Sequence, residues 1–227
     1  MKFEAILFDC DGVLVDSELL TNTVLCTMLN QAGWPITPQE CMLAFIGKTV
    51  RSEAALIEAR TGQPLTDAWM DEFYARRNLQ LQRHLQAIPG AVPAVRTVHA
   101  MLGGRIACAS GADRFKVEMQ LQHVGLAEWF EGRVFSGHEM PATKPAPDVY
   151  LAAAAALGVP PQRCLVVEDT VTGVTAGVAA RPGAYWSMRA NASGSCRRSP
   201  IVAVCKSYLP MGSNFLLLGG EFTLHIQ

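Results

Sequence analysis

The sequence predicts an α/β protein with a parallel β-sheet core and a helical segment inserted near its N-terminal end. This prediction rests on three features. Residues 5–8 form a short, continuous apolar run, as expected of a strand buried on both faces. Residues 88–180 alternate strand-like apolar runs with helical patterns, which indicates parallel βαβ units. Residues 15–87 show helical patterns alone, so we expect a Rossmann-like core that carries an inserted α-helical bundle.

The composition is that of a folded globular protein. Half of the 227 residues are hydrophobic, and the net charge of −1 gives no electrostatic reason to expect a nucleic acid or an anionic membrane as partner. Acidic residues follow Lys2 at once, which is untypical of a signal peptide, and no apolar run approaches the length of a membrane span. Seven scattered cysteines without a Cys-x-x-Cys pair indicate reduced thiols, so we expect a cytoplasmic protein without a zinc site.

The inserted segment is predicted to contain three helices, over residues 18–32, 50–60 and 66–85. Gly33 with Pro35 and Gly62 with Pro64 supply the stop signals of the first two helices. Thr66 is a candidate N-cap for the third.

The core is predicted to continue with helices and strands in alternation. The predicted helices cover residues 92–102, 113–124, 147–157 and 172–180, and the predicted strands cover residues 105–109, 133–135 and 164–167. In open parallel sheets, ligands bind at the carboxyl ends of the strands. Asp9, Ser110 and the pair Glu168-Asp169 directly follow strand candidates. One site can therefore collect all of them.

Two aspartates at the end of the first strand are the main chemical signal. Asp9 and Asp11 are two residues apart, a spacing that lets both side chains face one site, and Gly12 permits a sharp turn beside a ligand. Because like charges raise each other's pKa, such a pair needs a cation or a shared proton. One aspartate can act as nucleophile and the other as general acid/base, with Mg2+ as the neutralising cation. Taken alone, the pair is equally compatible with an acidic turn that has no catalytic role.

Three further elements have both a functional and a structural interpretation. The Ser110 hydroxyl and the amides around it can hold phosphate oxygens at a helix N-terminus, or can simply cap that helix. Lys144 directly precedes a Pro-x-Pro segment, whose rigid backbone suits a fixed positive charge, although a loop lysine is usually solvated surface. Glu168 and Asp169 can coordinate Mg2+, and Asp169 can instead cap the following helix. Asp169 is the favoured ligand, with Glu168 binding directly or through water.

In this order, the four elements resemble the motifs of the haloacid dehalogenase-like phosphohydrolase superfamily. The string DCDGVLVDSE at residues 9–18 is similar to the branch with a helical cap inserted after the first motif, which includes β-phosphoglucomutase and phosphoglycolate phosphatase. The string KPAPD at residues 144–148 is characteristic of the family. The resemblance covers residues 1–180, with a core of residues 1–14 and 88–180 and a cap of residues 15–87. It implies an Mg2+-dependent phosphatase, monomeric or homodimeric, for a small metabolite such as a sugar phosphate, phosphogluconate or phosphoglycolate.

The resemblance also implies a role for each motif residue. Asp9 is the nucleophile that forms an aspartyl-phosphate, and Asp11 protonates the leaving alcohol and then deprotonates the hydrolytic water. Ser110, Gly111 and Lys144 bind the phosphate. The implied Mg2+ ligands are the Asp9 carboxylate, the Asp11 backbone carbonyl, Asp169 and Glu168.

The cap is expected to select the substrate. Glu18, Lys48 and Arg51 are candidates to contact it, and the two cations can grip a carboxylate or a second phosphate or be solvated helix-end charges. Relatives that isomerise sugar phosphates often carry a histidine three residues after the motif glutamate, where this sequence has Thr21. Hydrolysis is therefore favoured over a β-phosphoglucomutase-like phosphosugar mutase.

Three other functions stay open. A dehalogenase has no need of the second motif aspartate or of an acidic metal pair. A phosphonate hydrolase needs a cap lysine as Schiff-base nucleophile, and Lys48 is the one lysine in the predicted cap. A catalytically impaired protein that binds phosphorylated metabolites is supported by the C-terminal segment and opposed by the intact motif residues.

Residues 181–227 depart from the family pattern. They hold five basic residues and one acid, whereas the preceding 180 residues hold fourteen basic and nineteen acidic residues. Residues 181–186 stand where the family usually has a turn of small residues and a further strand, and two apolar runs at 201–205 and 215–218 lack a partner pattern. We hypothesise a change of reading frame near codon 181. A divergent but functional tail is the alternative.

Overall fold

The computed structural model describes residues 3–45 and 48–180 and the backbone of residues 184–187. These residues fall into two compact units, one formed by residues 3–15 and those from 87 onward, the other by residues 16–86. The first unit is interrupted after Val15 and resumes at Ala87, and these two ends of the chain lie next to each other. Val15 and Ala87 form an antiparallel bridge, and the Ile88 amide donates to the Leu14 carbonyl at 3.0 Å.

The first unit contains one parallel sheet, whose strands are β1 (Ala5–Phe8), β2 (Ile106–Ser110), β3 (Val134–Ser136), β4 (Cys164–Glu168) and β5 (Ala184–Ser187). Their spatial order is β3-β2-β1-β4-β5, and every neighbouring pair is parallel. The central strand is β1, with Leu7 opposite Ala107 of β2 and Val166 of β4. The predicted Rossmann-like α/β class is thereby confirmed.

The described residues contain eight α-helices. Those of the second unit are α1 (Glu18–Gln31), α2 (Pro38–Phe45), α3 (Ala54–Thr61) and α4 (Asp67–His84). Those of the first unit are α5 (Ala91–Met101), α6 (Arg114–His123), α7 (Asp148–Ala156) and α8 (Val171–Ala179). None of these helices is long and apolar enough to cross a membrane.

Burial on both faces explains why β1 is apolar throughout and β2 is apolar up to Ser110, its last residue. Every residue of β1 and β2 is buried. Leu7 belongs to a cluster with Tyr150 and the small Ala153 of α7, whereas the Phe8 ring meets the Phe130 ring edge-on at 6.1 Å between centroids. Successive side chains of β1 therefore enter different parts of the core, as the alternation of a strand requires.

The second unit is helical throughout its described residues. Apolar side chains of its helices form a core of their own, which includes Leu25, Leu29, Trp34, Met70 and Phe73. The third predicted helix begins as expected, because the Thr66 hydroxyl accepts a hydrogen bond from the Trp69 amide at 3.2 Å.

Helix α2 was not predicted, although the sequence carries its start signal. The Glu40 carboxylate accepts a hydrogen bond from the Thr37 amide at 2.9 Å, and the Glu40 amide donates to the Thr37 hydroxyl at 3.2 Å. This reciprocal pair is a capping box, and Pro38 occupies the first helical position, where its missing N–H costs nothing.

The C-terminal predictions fall mostly beyond the described residues. Strand β5 was not predicted, and it lies in the C-terminal segment that was predicted to be atypical. The apolar runs at 201–205 and 215–218 lie outside the described residues.

Candidate active site

The predicted site residues of the core meet where the three neighbouring strands β2, β1 and β4 end. Asp9 directly follows β1, Ser110 closes β2, and Glu168 closes β4. Because these strands are parallel and adjacent, their carboxyl ends lie side by side. The Asp9 amide donates to the Val167 carbonyl at 2.9 Å, so the backbone holds Asp9 against the end of β4.

A tight turn after β1 presents the two aspartates. The Cys10 carbonyl accepts hydrogen bonds from the amides of Leu14 and Val15 at 2.9 and 3.1 Å, which folds the chain back at once. Gly12 lies in this turn with φ +77°, a conformation that favours glycine. A Cβ at Gly12 would overlap the Asp169 carboxylate, so this glycine also gives that side chain its space.

Lys144 lies between two buried carboxylates. Its Nζ is 2.7 Å from Asp9 Oδ1 and 2.6 Å from Glu168 Oε1. The Lys144 side chain is 7% exposed and that of Glu168 is fully buried, so both ion pairs are shielded from solvent. The ammonium also lies 4.7 Å from the centroid of the Tyr150 ring. The predicted loop lysine is therefore a buried cation at the centre of the site.

The electrostatics of this group follow from burial and close charges. Burial raises the pKa of Asp9 to about 7, helped by the nearby Glu168 and Asp11 carboxylates and limited by Lys144. Burial alone would lower the pKa of Lys144, but Asp9 and Glu168 outweigh it and raise this pKa above its usual value. In the absence of a metal ion, Asp9 is thus a carboxyl group that titrates near neutrality.

Glu168 is held by donors on both carboxylate oxygens. The Tyr150 hydroxyl donates to Oε1 at 2.6 Å, beside the Lys144 contact. Oε2 accepts from the amides of Asp169 and Thr170 at 3.0 and 3.2 Å and from the Thr170 hydroxyl at 3.2 Å. A Cβ at Gly173, in the first turn of α8, would overlap this carboxylate. The start of α8 is therefore packed directly on Glu168.

Three acidic side chains are close enough to share a cation. Carboxylate oxygens of Asp9, Glu168 and Asp169 lie within 4.8 Å of one another, and all three residues are buried. An all-oxygen donor set is what a hard divalent cation such as Mg2+ requires. The residues present therefore fit this metal. The predicted contribution of the Asp11 backbone carbonyl stays a prediction.

The Ser110 loop lies beside Lys144. The Ser110 hydroxyl accepts from the Ala112 amide at 3.1 Å, and a Cβ at Gly111 would lie 3.9 Å from the Lys144 side chain. Asp113, not Ser110, caps the next helix, since its carboxylate accepts from the Lys116 amide at 2.9 Å. Ser110 does not have the helix-capping role that was its structural alternative.

Asp11 has different partners from Asp9. Lys116 Nζ lies 2.7 Å from each Asp11 carboxylate oxygen, and Gln120 Nε2 lies 2.9 Å from Oδ1. Neither Lys116 nor Gln120 was predicted from the sequence. Their i, i+4 spacing places them on one helix face, but spacing alone does not indicate what that face contacts.

The three predicted cap residues belong to the second unit. Lys48 forms an ion pair with Glu53 at 3.0 Å, and Arg51 forms one with Asp67 at 2.8 Å. Glu18 is the first residue of α1. Both ion pairs are at the surface, where such contacts contribute little and exchange readily. Substrate binding by these residues stays a prediction.

Comparison with known proteins identifies the family. A sequence model of the haloacid dehalogenase-like hydrolases matches residues 3–181. The chain is 35% identical to a probable pseudouridine-5'-phosphatase of Drosophila melanogaster over 75% of each protein. It is 27% identical to the 6-phosphogluconate phosphatase of Escherichia coli over 78% of this chain and 79% of that enzyme. It is also 34% identical to SUPPRESSOR OF QUENCHING 1 of Arabidopsis thaliana. That match covers 79% of this chain but only 17% of the longer plant protein.

A solved structure supports the same assignment. A hydrolase of this family from Deinococcus radiodurans, with bound phosphate and sodium, superposes with a TM-score of 0.66 and 32% identity. The match covers 81% of this chain and 80% of that one. The prediction of a phosphoric monoester hydrolase agrees with the family and with its phosphatase-named relatives. The chain belongs to the haloacid dehalogenase-like hydrolases.

Proposed function

We propose that the protein is an Mg2+-dependent phosphatase that hydrolyses a small phosphorylated metabolite through an aspartyl-phosphate on Asp9. The observation that carries this proposal is the separation of the two motif aspartates. Asp9 lies with Lys144 in the buried acidic cluster, whereas Asp11 lies against Lys116. Two carboxylates with different surroundings suit two different roles, one as nucleophile and one as acid/base.

The phosphate subsite is formed by the loops around Asp9. Lys144 supplies a fixed positive charge next to the nucleophile, at 2.7 Å from its Oδ1. The Ser110 hydroxyl and the Gly111 backbone lie on the adjacent loop and supply polar groups for the phosphate oxygens. The buried position of Lys144 excludes water from its charge, which strengthens its attraction for an anion.

Asp9, Asp169 and Glu168 would hold the Mg2+ ion. Because both Glu168 oxygens already accept several hydrogen bonds, we assign direct coordination to Asp9 and Asp169 and a supporting role to Glu168. When bound, Mg2+ supplies positive charge for the carboxylates and the phosphoryl group.

The two aspartates divide the chemistry into two displacements. An Asp9 oxygen attacks phosphorus, the bond from phosphorus to the ester oxygen breaks, and the carboxyl proton of Asp11 passes to the leaving alcohol. Water then attacks phosphorus of the aspartyl-phosphate, and the Asp11 carboxylate takes a proton from that water. Inorganic phosphate leaves, Asp9 regains its carboxylate, and Asp11 is protonated again.

The helical unit is proposed as the cap that selects the substrate. Glu18, Lys48 and Arg51 remain the candidates, because a small anionic metabolite needs charged or polar groups beyond the phosphate subsite. Sugar phosphates, phosphogluconate and phosphoglycolate are the substrate classes that we propose. The 6-phosphogluconate and pseudouridine-5'-phosphate named for two relatives belong in the same test set.

A substrate panel tests this proposal. Release of inorganic phosphate is measured for these metabolites with and without Mg2+, beside an Asp9→Asn variant. We expect Mg2+-dependent release that the variant lacks, with the best substrate naming the function. Conversion of a sugar phosphate into its isomer without phosphate release would favour the mutase instead. Ligand binding by folded protein without any turnover would favour a catalytically impaired binding protein.

A further inference from the structure

We infer that Lys116 and Gln120 are positioning residues that fix the Asp11 carboxylate for proton transfer. This inference rests on the proposed phosphatase function, since it concerns the acid/base residue of that reaction. Lys116 Nζ is equidistant, at 2.7 Å, from both Asp11 oxygens, and Gln120 Nε2 lies 2.9 Å from Oδ1. Two donors on separate side chains define the plane and the direction of the carboxylate.

The two donors are buried, whereas Asp11 is partly exposed. The Lys116 side chain is 8% exposed and Gln120 is fully buried, whereas the Asp11 side chain is 26% exposed. A lysine is rarely buried to this extent unless it is paired, and Asp11 is its ion-pair partner. The carboxylate is thus held from the protein side while part of it stays open to solvent.

Each donor is itself fixed. The Asp113 carboxylate accepts from the Lys116 amide at 2.9 Å, which sets the first turn of α6 and places Lys116 and Gln120 on one face. Gln120 Oε1 accepts a hydrogen bond from the Cys10 thiol at 3.6 Å, which turns the Gln120 amide nitrogen toward Asp11. The helix and the turn after β1 therefore orient the carboxylate together.

The reaction gives this arrangement a specific signature. In the first displacement, a poor leaving group such as an alkoxide needs the proton of Asp11, whereas p-nitrophenolate leaves without it. The value of kcat/KM reports on steps up to formation of the aspartyl-phosphate and not on its hydrolysis. A misplaced Asp11 should therefore lower kcat/KM for an alkyl phosphate and leave kcat/KM for p-nitrophenyl phosphate unchanged.

The test uses Lys116→Met, which keeps the chain length without the charge, and Lys116→Arg, which keeps the charge and can contact both oxygens. We expect Lys116→Met to lower kcat/KM for the best alkyl phosphate of the panel by about 100-fold, as misplacement of a catalytic group does. Its kcat/KM for p-nitrophenyl phosphate should stay near the wild-type value, and Lys116→Arg should recover much of the alkyl activity. Gln122→Ala, on an exposed position of the same helix, is the control and should change neither value.

Two further results test the inference, and the second of them does not depend on the proposed function. In an Asp11→Asn background, Lys116→Met should cause no additional loss, because the group that it positions is gone. A crystal structure of Lys116→Met should show the Asp11 carboxylate displaced. Equal losses for the alkyl and aryl substrates, or an Asp11 carboxylate unmoved in that structure, would overturn the inference. A wild-type protein without phosphatase activity would instead overturn the proposed function, and the crystal structure would still decide whether Lys116 positions Asp11.

Discussion

Buried charged side chains form the candidate site, and Lys144 is the cation that contacts two of its carboxylates. It neutralises two buried carboxylates, of Asp9 and Glu168, at 2.7 and 2.6 Å. Buried ion pairs are costly to desolvate, so they add little net stability, but loss of one partner leaves uncompensated charge in the interior. The site is therefore sensitive to the removal of this single cation.

We expect Lys144→Met to lower the free energy of unfolding by about 3–5 kcal/mol in metal-free buffer at pH 8. Its control is Lys48→Met, because the Lys48 side chain is 48% exposed and its ion pair lies at the surface. That control should change the free energy of unfolding by less than about 0.5 kcal/mol. Denaturant unfolding measures both values, and equal effects of the two substitutions would contradict the central position of Lys144.

The raised pKa of Asp9 predicts that Mg2+ and protons compete for the site. The pKa of Asp9 is about 7 in the folded protein, against an ordinary value of 3.8. Between these two values the folded protein keeps a proton on Asp9 that the unfolded chain releases. The contribution of Asp9 to stability is therefore complete below its ordinary pKa and is lost as the pH rises to about 7. Ionised Asp9 is the form that binds a cation, so Mg2+ should restore stability above that pH.

Thermal unfolding with and without Mg2+ checks this prediction. The increase in Tm caused by Mg2+ should be larger at pH 8 than at pH 6. In Asp9→Asn, which has no titrating carboxyl at this position, the increase should be small at both values. An equal Mg2+-induced increase in Tm at pH 6 and pH 8 in the wild-type protein would refute competition between Mg2+ and protons at this site.

Among the secondary-structure elements, helix α8 begins directly against a carboxylate of the site. Its first turn contains Gly173, and a Cβ at that position would overlap the Glu168 carboxylate. The Gly173 amide donates to the Thr170 hydroxyl at 3.0 Å, which fixes the helix start. The absence of a side chain at Gly173 is thus what allows α8 to begin directly against β4.

Gly173→Ala tests this packing, because the direction in which it changes stability distinguishes a tight contact from an ordinary helix position. A Gly→Ala change inside a helix usually stabilises, by about 1 kcal/mol. Here we expect a lower Tm and weaker Mg2+ binding, because the new methyl group displaces Glu168 or moves the helix. Val178→Ala, at a half-exposed position of the same helix, should leave Mg2+ binding unchanged. A Gly173→Ala protein more stable than the wild type would show that the overlap is relieved without cost.

The elements that the sequence predicted were those with an uninterrupted local signal. The buried strand β1 is apolar throughout and β4 is apolar up to its last residue, so the polar residues where these runs stop locate Asp9 and Glu168. Helix α2 was missed, although Thr37 and Glu40 form its capping box. Lys116 could not be predicted as a partner of Asp11, because 105 residues separate them and helical spacing does not tell which element a face meets.

For the whole molecule, the sequence was sufficient for the fold class and the family, and both are confirmed. Four motifs in a fixed order predict a shared site more strongly than any one motif does, because the carboxyl ends of parallel strands lie at one edge of the sheet. The substrate is not specified in this way. We propose that the helical unit selects it, and in that unit Lys48 and Arg51 are surface residues with ion-pair partners of their own.

The C-terminal segment gives a prediction at the level of the gene. The family match ends at residue 181, where the balance of charges also inverts. We propose that the reading frame changes near codon 181, and we expect another frame of the coding DNA beyond this point to encode a family-like strand and helix. Sequencing and translating that region checks the proposal. If no frame there encodes such a segment, residues 181–227 are a divergent tail instead.

The nucleophilic role of Asp9 is the central claim, and trapping the covalent intermediate tests it most directly. The enzyme is quenched in acid during turnover of its best substrate with Mg2+, digested, and analysed by mass spectrometry. We expect one phosphoryl group on the peptide that contains Asp9, labile to hydroxylamine and absent from Asp9→Asn. Phosphate release without any phosphorylated peptide, or with the phosphoryl group on another residue, would contradict the mechanism.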